Sequence, residues 1–221
     1  MKLIYTFGKY GRVKYVSHLD LQRFIMRALN RTCLPIAFSQ GFNPHPVMSI
    51  AGALAMGYES DYEVFEIKIQ GNLKKQLALE TMRNALPEDL PIFDVRYVED
   101  SHPSMMASVK MAEYLITPME NTGDILKAAD SFLAMDEYMG IRKTKSGESE
   151  VNVRALCKEM KSEDGVLKVR LMLTEKETLK PDLLMESLAK IAGIDVPVYK
   201  VKRTCLLGEN ADGEMKPIAE L

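Results

Sequence analysis

In the first hundred residues, segments of two kinds follow one another. In some, apolar residues recur with a period of two, which is typical of strands, and in others with a period near 3.6, which is typical of helices. Lys2 to Phe7 alternates and predicts a strand, whereas Ser17 to Arg31 carries the apolar stripe of a helix. Further along, the pattern predicts strands at Val47 to Ala55, Asp61 to Ile69 and Ile92 to Val98, with a helix marked by Leu73, Leu77, Met82 and Leu86 before the last of them. The order β-α-β-β-α-β is that of ferredoxin-like units.

The second half repeats this order of elements. The pattern predicts strands at Glu113 to Thr117, Tyr138 to Arg142, Val151 to Ala155, Val166 to Leu173 and Val198 to Leu207, and helices at Asp124 to Met135 and Pro181 to Ala192. Between the halves, residues 99–110 read EDSHPSMMASVK and have no clear period. The sequence therefore predicts an α+β fold of two tandem ferredoxin-like domains, residues 1–100 and 110–207, followed by a flexible tail at 208–221.

The composition is that of an ordinary soluble globular protein. The chain has 221 residues, of which 47% are hydrophobic and 27% charged, and these fractions disfavour bulk disorder and fibrous repeats. No apolar run has signal-peptide length or approaches the roughly 18 to 20 residues of a membrane span. The three cysteines lie far apart without metal-binding spacing. We expect a cytoplasmic protein that has no metal or other cofactor and no membrane partner.

The net charge of -2 hides an uneven distribution of charge. Residues 1–58 contain seven basic side chains and one acidic one, so they carry +6, and the remaining 163 residues carry -8. A local basic surface favours a phosphate-bearing partner, because each neutralised phosphate releases counterions. A solvated face that happens to lack acids would give the same numbers.

The basic residues of this region fall on one face of the first predicted helix. Asp20, Arg23, Arg27 and Arg31 recur at steps of three and four, and a row of arginines can present planar forks to phosphates. Ser17 and Asp20 also have the spacing of a capping box, which gives Asp20 a structural role. His18 falls in the first turn of this helix. A neutral imidazole there could accept a proton, and the alternative is that His18 is only a surface residue.

The segment SQGFNPHP at residues 39–46 predicts a stiff loop. Gly41 permits a sharp change of direction, and Pro44 and Pro46 hold the residues before them extended. The loop then offers hydrogen-bonding and stacking groups: Ser39, Phe42, Asn43 and His45. Stiffness lowers the entropy lost on binding, so the loop is a candidate recognition element. The alternative is a rigid connector whose Phe42 fills the core.

A second basic segment, IRKTKSGESEVNVR, occupies residues 141–154 and predicts a hairpin. Its candidate binding residues are Arg142, Lys143 and Lys145 before the turn, with Asn152 and Arg154 on one face of the following strand. This hairpin could form the far wall of a cleft shared with the first domain. It could equally be an edge strand that is protected by charge.

Four motifs, SHLD-x-x-R, GFNPHP, GxES at Gly57 to Ser60 and TKSG, resemble the uncharacterised family of radical SAM-linked proteins. The likeness covers nearly the whole chain. It implies an accessory domain, which in that family stands alone or is fused behind a cobalamin-binding radical SAM enzyme, with genes often near that of ribonuclease G. The chain lacks cluster-binding cysteines and a cobalamin motif and so resembles the stand-alone form. The family pattern points to His18, Asp20, Arg23, Ser39, Gly41, Asn43, Pro44 and His45.

These observations favour a substrate-recognition protein that binds RNA, or a ribonucleoprotein, through a basic cleft and works with a radical SAM partner. In this hypothesis the arginines hold phosphates while Phe42 and Asn43 contact a splayed base. Two alternatives stay open. One is a metal-independent endoribonuclease that uses His18 and His45 as acid and base. The other is a protein–protein adaptor without a nucleic-acid role, in which the acidic second half docks a basic partner.

Overall fold

The computed structural model describes residues 1–144 and 147–221. It contains 29% helix and 37% strand, which confirms the α+β class. The chain divides into two compact units: unit 1 comprises Met1–Val109 and Cys205–Leu221, and unit 2 comprises Lys110–Thr204. No helix within the described ranges has the length and apolar character needed to cross a membrane.

Unit 1 begins with a β-α-β-β-α-β order of elements. These are β1 (Lys2–Lys9), α1 (His18–Leu29), β2 (Met48–Ile50), β3 (Glu59–Lys68), α2 (Lys75–Ala85) and β4 (Ile92–Val98), with a 3-10 turn at Gly11–Tyr15 before α1 and a short helix α3 (Met105–Ser108) after β4. The strands lie in the order β4-β1-β3-β2, and their pairings are antiparallel.

One face of this sheet packs against α1 and α2 to form the core of unit 1. Alternate residues of β1, including Tyr5 and Phe7, point to that face because side chains alternate along a strand. Tyr5 lies opposite Phe65 of β3, and their rings stack with centroids 4.8 Å apart. Leu21 and Ile25 bring the apolar stripe of α1 onto the same cluster. The opposite face of α1 is therefore left for solvent.

Unit 2 has a similar order of main elements with an inserted hairpin. Its elements are β5 (Met111–Pro118), α4 (Thr122–Leu133), β6 (Met139–Thr144), β7 (Gly147–Asn152), α5 (Val153–Leu156), β8 (Cys157–Glu163), β9 (Val166–Met172), α6 (Pro181–Ala192) and β10 (Tyr199–Glu209). The main strands lie in the order β10-β5-β9-β8, and β6 pairs with β7 as a separate two-stranded sheet. The helices α4 and α6 supply buried side chains to the core.

The last residues differ from the predicted flexible tail. Strand β10 carries the chain from unit 2 into unit 1. A further strand, β11 (Met215–Pro217), pairs with Leu207 to Glu209, and a 3-10 turn at Ile218–Glu220 follows it. Ile218 is 0% exposed. Its burial, together with the β11 pairing, gives residues 208–221 an ordered place in unit 1.

Candidate nucleic-acid interface

The start of α1 is fixed by the residues of the SHLD motif. Ser17 is the N-cap, and its hydroxyl oxygen accepts the backbone N–H of Asp20 at 3.2 Å, as the capping prediction requires. The same hydroxyl donates to the Asp20 carboxylate at 2.7 Å, and the Arg23 guanidinium donates to the other carboxylate oxygen at 3.2 Å. The Ser17 hydroxyl and then Arg23 hold the pKa of Asp20 below its usual range. Asp20 therefore organises the helix end and stays ionised at neutral pH.

Before this cap the chain is held by a buried lysine. Lys9, at the end of β1, is 1% exposed, and its amine donates to the Val16 carbonyl oxygen at 3.1 Å. Burial of an ammonium group is costly unless it is hydrogen-bonded. The contact joins the end of β1 to the residue before Ser17, so the first turn of α1, with His18, lies at that end of the sheet. The His18 side chain is half-buried there.

The arginine row is shorter than the sequence predicts. Arg23 and Arg27 are exposed on α1, but the helix ends at Leu29, so Arg31 does not belong to it. The reason is a turn at the C-terminus, where the Arg31 N–H donates to the Ala28 carbonyl oxygen at 3.0 Å. Within the part of the chain that the structure describes, no carboxylate forms an ion pair with Arg27 or Arg31, whereas Arg23 is paired with Asp20.

The 39–46 loop is closed at its base by a short antiparallel ladder. The Ser39 N–H donates to the His45 carbonyl oxygen at 2.9 Å, and Phe38 bridges Pro46. The Ser39 hydroxyl adds a cross-brace, because its oxygen accepts the His45 N–H at 3.1 Å and lies 2.9 Å from His45 Nδ1. Ser39 and His45 thus hold the two arms of the loop together.

The tip of the loop presents an aromatic ring to solvent. Gly41 has φ +120°, a conformation that L side chains rarely adopt, and no atom lies within 4 Å of where its Cβ would be. Phe42 follows with a relative exposure of 112%, and Asn43 is exposed beside it. The alternative in which Phe42 fills the core is therefore wrong. The ring lies outside because the ladder below it closes the loop before any side chain of the tip can reach the core.

The 39–46 loop projects from unit 1 at the end of the sheet where β1 begins. The Val47 carbonyl oxygen accepts the Lys68 N–H at 2.9 Å, and Lys68 lies opposite Lys2 at the start of β1. Because α1 begins near the end of β1 and packs along the sheet, its C-terminal end, with Arg27 and Arg31, lies toward the start of β1. The arginines without ion pairs and the exposed Phe42 therefore belong to the same end of unit 1.

The structure does not bring His18 and His45 together. His18 follows Val16, which contacts Lys9 at the end of β1, whereas His45 lies two residues before Val47, which pairs with Lys68 opposite Lys2. The two ends of β1 are on the order of 20 Å apart, at about 3.3 Å per residue. An acid and a base that serve one reacting centre must both lie within hydrogen-bond reach of it.

In unit 2 the predicted basic hairpin is only partly present. Arg142 and Lys143 lie on β6, and Lys143 is exposed and forms an ion pair with Glu148 at 3.7 Å. Lys145, the third predicted cation, lies outside the described residues. The hairpin strands pair with each other, and Arg142 is half-buried while Lys143 points to solvent.

Arg154 does not lie on the hairpin strand, contrary to the sequence prediction. Strand β7 ends at Asn152, whose side-chain oxygen accepts the Ala155 N–H at 3.1 Å and caps the short helix α5. In that helix the Arg154 guanidinium donates to the Cys157 carbonyl oxygen at 3.2 Å and lies 5.9 Å from the centre of the Phe132 ring. Arg154 is therefore a packing residue of unit 2, and Asn152 is a helix cap.

Sequence reasoning missed an apolar patch near the start of α1. Tyr15, Leu19 and Met56 are 66%, 61% and 63% exposed, and the Gly57 N–H donates to the Lys14 carbonyl oxygen at 2.9 Å, which brings the Met56 loop to this end. The available signal was that Leu19 falls outside the apolar stripe of α1. Among the described residues no group of three or more His, Cys, Asp or Glu side chains could hold a metal ion.

Most of the chain matches a known protein family. Residues 2–181 match the family described as "Uncharacterized protein conserved in bacteria (DUF2344)". The chain belongs to DUF2344. The match spans all of the α1 and 39–46 loop region and most of unit 2. A search of curated proteins gives no match to this DUF2344 chain.

Proposed function

We propose that this DUF2344 protein binds single-stranded RNA and presents it to a radical SAM enzyme. The surface would be the one at the start of β1: Arg27 and Arg31 contact phosphates, and Phe42 stacks on an unpaired base. The radical SAM partnership rests on the sequence resemblance described above. The RNA hypothesis rests on the +6 charge of residues 1–58 and on the loop geometry.

The exposed ring of Phe42 carries this proposal. A phenylalanine with 112% relative exposure gains nothing from the core of its own chain, and the Ser39–His45 brace reduces the entropy lost when the tip binds. Base stacking on an aromatic ring contributes about 1–3 kcal/mol per base, without requiring a particular sequence. A duplex keeps its bases stacked inside, so such a ring favours a single strand or a loop.

Replacement of Phe42 tests the proposal directly. We expect Phe42→Ala to weaken binding of a labelled 12-nucleotide single-stranded RNA by about five- to 150-fold, from the stacking energy of one base, as measured by fluorescence anisotropy. Phe93→Ala, which removes a half-exposed ring from strand β4, is the matched control and should leave the affinity unchanged. Equal affinities of wild type and Phe42→Ala would refute the role of the loop.

A protein–protein adaptor is the second candidate, and the patch of Tyr15, Leu19 and Met56 favours it. Exposed apolar side chains that cluster on a soluble protein mark sites of protein association. Copurification of a radical SAM protein with the chain, with and without nuclease treatment, separates the two candidates. If Leu19→Lys abolishes a nuclease-resistant complex while Phe42→Ala does not, the adaptor is favoured. Loss of the complex on nuclease treatment favours RNA binding.

We propose that each unit is a ferredoxin-like domain, because the strand orders β4-β1-β3-β2 and β10-β5-β9-β8 put corresponding elements in corresponding places. The hairpin β6–β7 would then be an insertion after the first helix of the second domain. We also propose a cytoplasmic location, where the three cysteines would stay reduced as free thiols.

A further inference from the structure

Unit 2 contains a cavity that the proposed RNA surface does not use. It has a volume of about 470 Å³ and lies between the β6 strand and the first turns of α6. Its charged lining residues are Arg142, Lys143, Lys180, Asp182 and Glu186. This volume lies within the range of about 300–1,000 Å³ that is typical of small-molecule sites.

Three basic residues line the cavity. Of these, Arg142 is the one on the face of β6 that is turned toward α6. Gly140, two residues earlier on the same face, is so close to α6 that an added Cβ would lie 3.5 Å from Leu183 Cδ1. Because side chains alternate along a strand, Arg142 shares this face, whereas Ile141 and Lys143 point to solvent. The Arg142 side chain therefore lies on the α6 side of the hairpin, where the cavity is.

The guanidinium of Arg142 is left with an unused donor. Its Nε atom is buried and has no hydrogen-bond partner among the residues that the structure describes, and no carboxylate there forms an ion pair with it. A buried donor without an acceptor costs about 1–3 kcal/mol. The terminal amino groups of the same guanidinium, on a half-buried side chain that lines the cavity, remain for a ligand, and a guanidinium donates strong hydrogen bonds to phosphate or carboxylate oxygens.

The other charges define what such a ligand must carry. Lys180, exposed at the start of α6, adds a second cation to the cavity wall, whereas Lys143 is partly neutralised by Glu148. Asp182 accepts a hydrogen bond from the Tyr199 hydroxyl at 2.7 Å, and Glu186 lies one turn further along α6. These carboxylates disfavour a purely anionic molecule and accept hydrogen bonds from hydroxyl or amino groups.

We propose that this cavity binds a phosphate monoester of nucleotide size, with the phosphate between Arg142 and Lys180 and the hydroxyl or amino groups of the organic part toward Asp182 and Glu186. The phosphate can come from a free nucleotide or from the 5′ end of an RNA. Either source presents the same dianion, and Leu183 provides an apolar wall for the organic part.

Calorimetric titration of the full chain with AMP and with adenosine tests this site. We expect AMP to bind saturably and adenosine to bind at least tenfold more weakly, because only AMP carries a phosphate that the positive charges of Arg142 and Lys180 attract. Arg142→Gln should weaken AMP at least tenfold, and Lys180→Gln should weaken it at least threefold. Lys158→Gln, which removes an exposed charge on β8 outside the cavity, should not change AMP binding.

A thermal melt of each variant separates loss of the site from loss of the fold. Lys180→Gln, at an exposed position, keeps the test valid if Arg142→Gln does not fold.

Competition of AMP with a 5′-phosphorylated oligonucleotide, and none with its 5′-hydroxyl form, would identify an RNA end as the source. Competition by neither would identify a free nucleotide. Equal binding of AMP and adenosine, or no effect of both site variants, would overturn the proposal. Phe42→Ala should leave AMP binding intact, so this site stands or fails independently of the RNA surface.

Discussion

Arg27, near the C-terminal end of α1, and Arg31, just after the helix, allow a quantitative test of RNA binding. Arg27 and Arg31 are exposed and form no ion pair among the described residues. Arg23 is a poorer choice, because its removal would also release Asp20 and disturb the helix start. We therefore consider the double replacement Arg27→Gln with Arg31→Gln, which removes two charges without touching the cap or the loop.

The expected size of the effect follows from counterion release. Each phosphate of a single strand that is neutralised contributes about 0.7 to the slope of log K against log salt. If each arginine neutralises one phosphate, the double variant should have a slope smaller by about 1.4, and its affinity at 0.1 M salt should be lower by about 25-fold. Exposed charges more than about 10 Å from the two arginines contribute little to this difference, since they are screened at this salt concentration.

Fluorescence anisotropy at several salt concentrations between 0.05 and 0.3 M, on the order of those where counterion release is measured, gives the slope. A variant with Lys127→Gln and Lys176→Gln removes the same net charge from exposed positions of unit 2 and is the matched control. Arg27→Lys with Arg31→Lys keeps the charge and should keep most of the slope. The reasoning fails if the variant with Arg27→Gln and Arg31→Gln retains the wild-type slope. It also fails if the control, in which two lysines are replaced by glutamine, loses as much of the slope as that variant.

Two further predictions concern stability and are measured by urea unfolding. Ser17→Ala should lower the free energy of unfolding by about 1 kcal/mol, because it removes the N-cap acceptor of α1, whereas Ser17→Thr should keep most of it; an unchanged Ala variant would contradict the capping role. Gly140→Ala should lower the free energy by about 1–3 kcal/mol, because its Cβ would lie 2.6 Å from Val153 Cγ2. Gly123→Ala, with no atom within 4 Å, should be neutral or slightly stabilising, and equal losses in both variants would contradict the packing argument.

The elements that follow one regular apolar pattern could be predicted from the sequence. Helix α6 runs from Pro181 to Ala192 as predicted, because a proline in the first turn and a continuous apolar stripe mark both its start and its length. Helix α1 agrees with the prediction within two residues at its C-terminal end. In both helices the face that packs on the sheet also defines the sequence period, so local pattern and tertiary contact agree.

Strand β8 could not be predicted, because its pattern is interrupted. Its seven residues, Cys157–Glu163, include only Cys157 and Met160 as buried positions, which are three apart and do not fit a period of two. The cause is an irregular register between Cys157 and Glu159 in the pairing with β9. Nearby, Asn152 and Arg154 have the alternation of a strand, but the Asn152 cap turns the chain into α5. A side-chain contact decided the local structure there.

The candidate site was predictable in its parts and not in its arrangement. Pro44 and Pro46 indicate a stiff loop from the sequence alone. Whether Phe42 fills the core or faces solvent depends on the ladder between residues 37–39 and 45–47, which is a tertiary feature. The separation of His18 from His45 likewise depends on strand register, for which the distance along the chain is no guide.

The β6–β7 hairpin has a consequence for how this family can vary. Its strands pair with each other, and its base is tied by the Val153 N–H, which donates to the Tyr138 carbonyl oxygen at 2.8 Å. Lengthening or shortening the chain between β6 and β7 would leave the register of the β10-β5-β9-β8 sheet unchanged. A relative with a longer or shorter hairpin would therefore fold its sheet and helices in the same way.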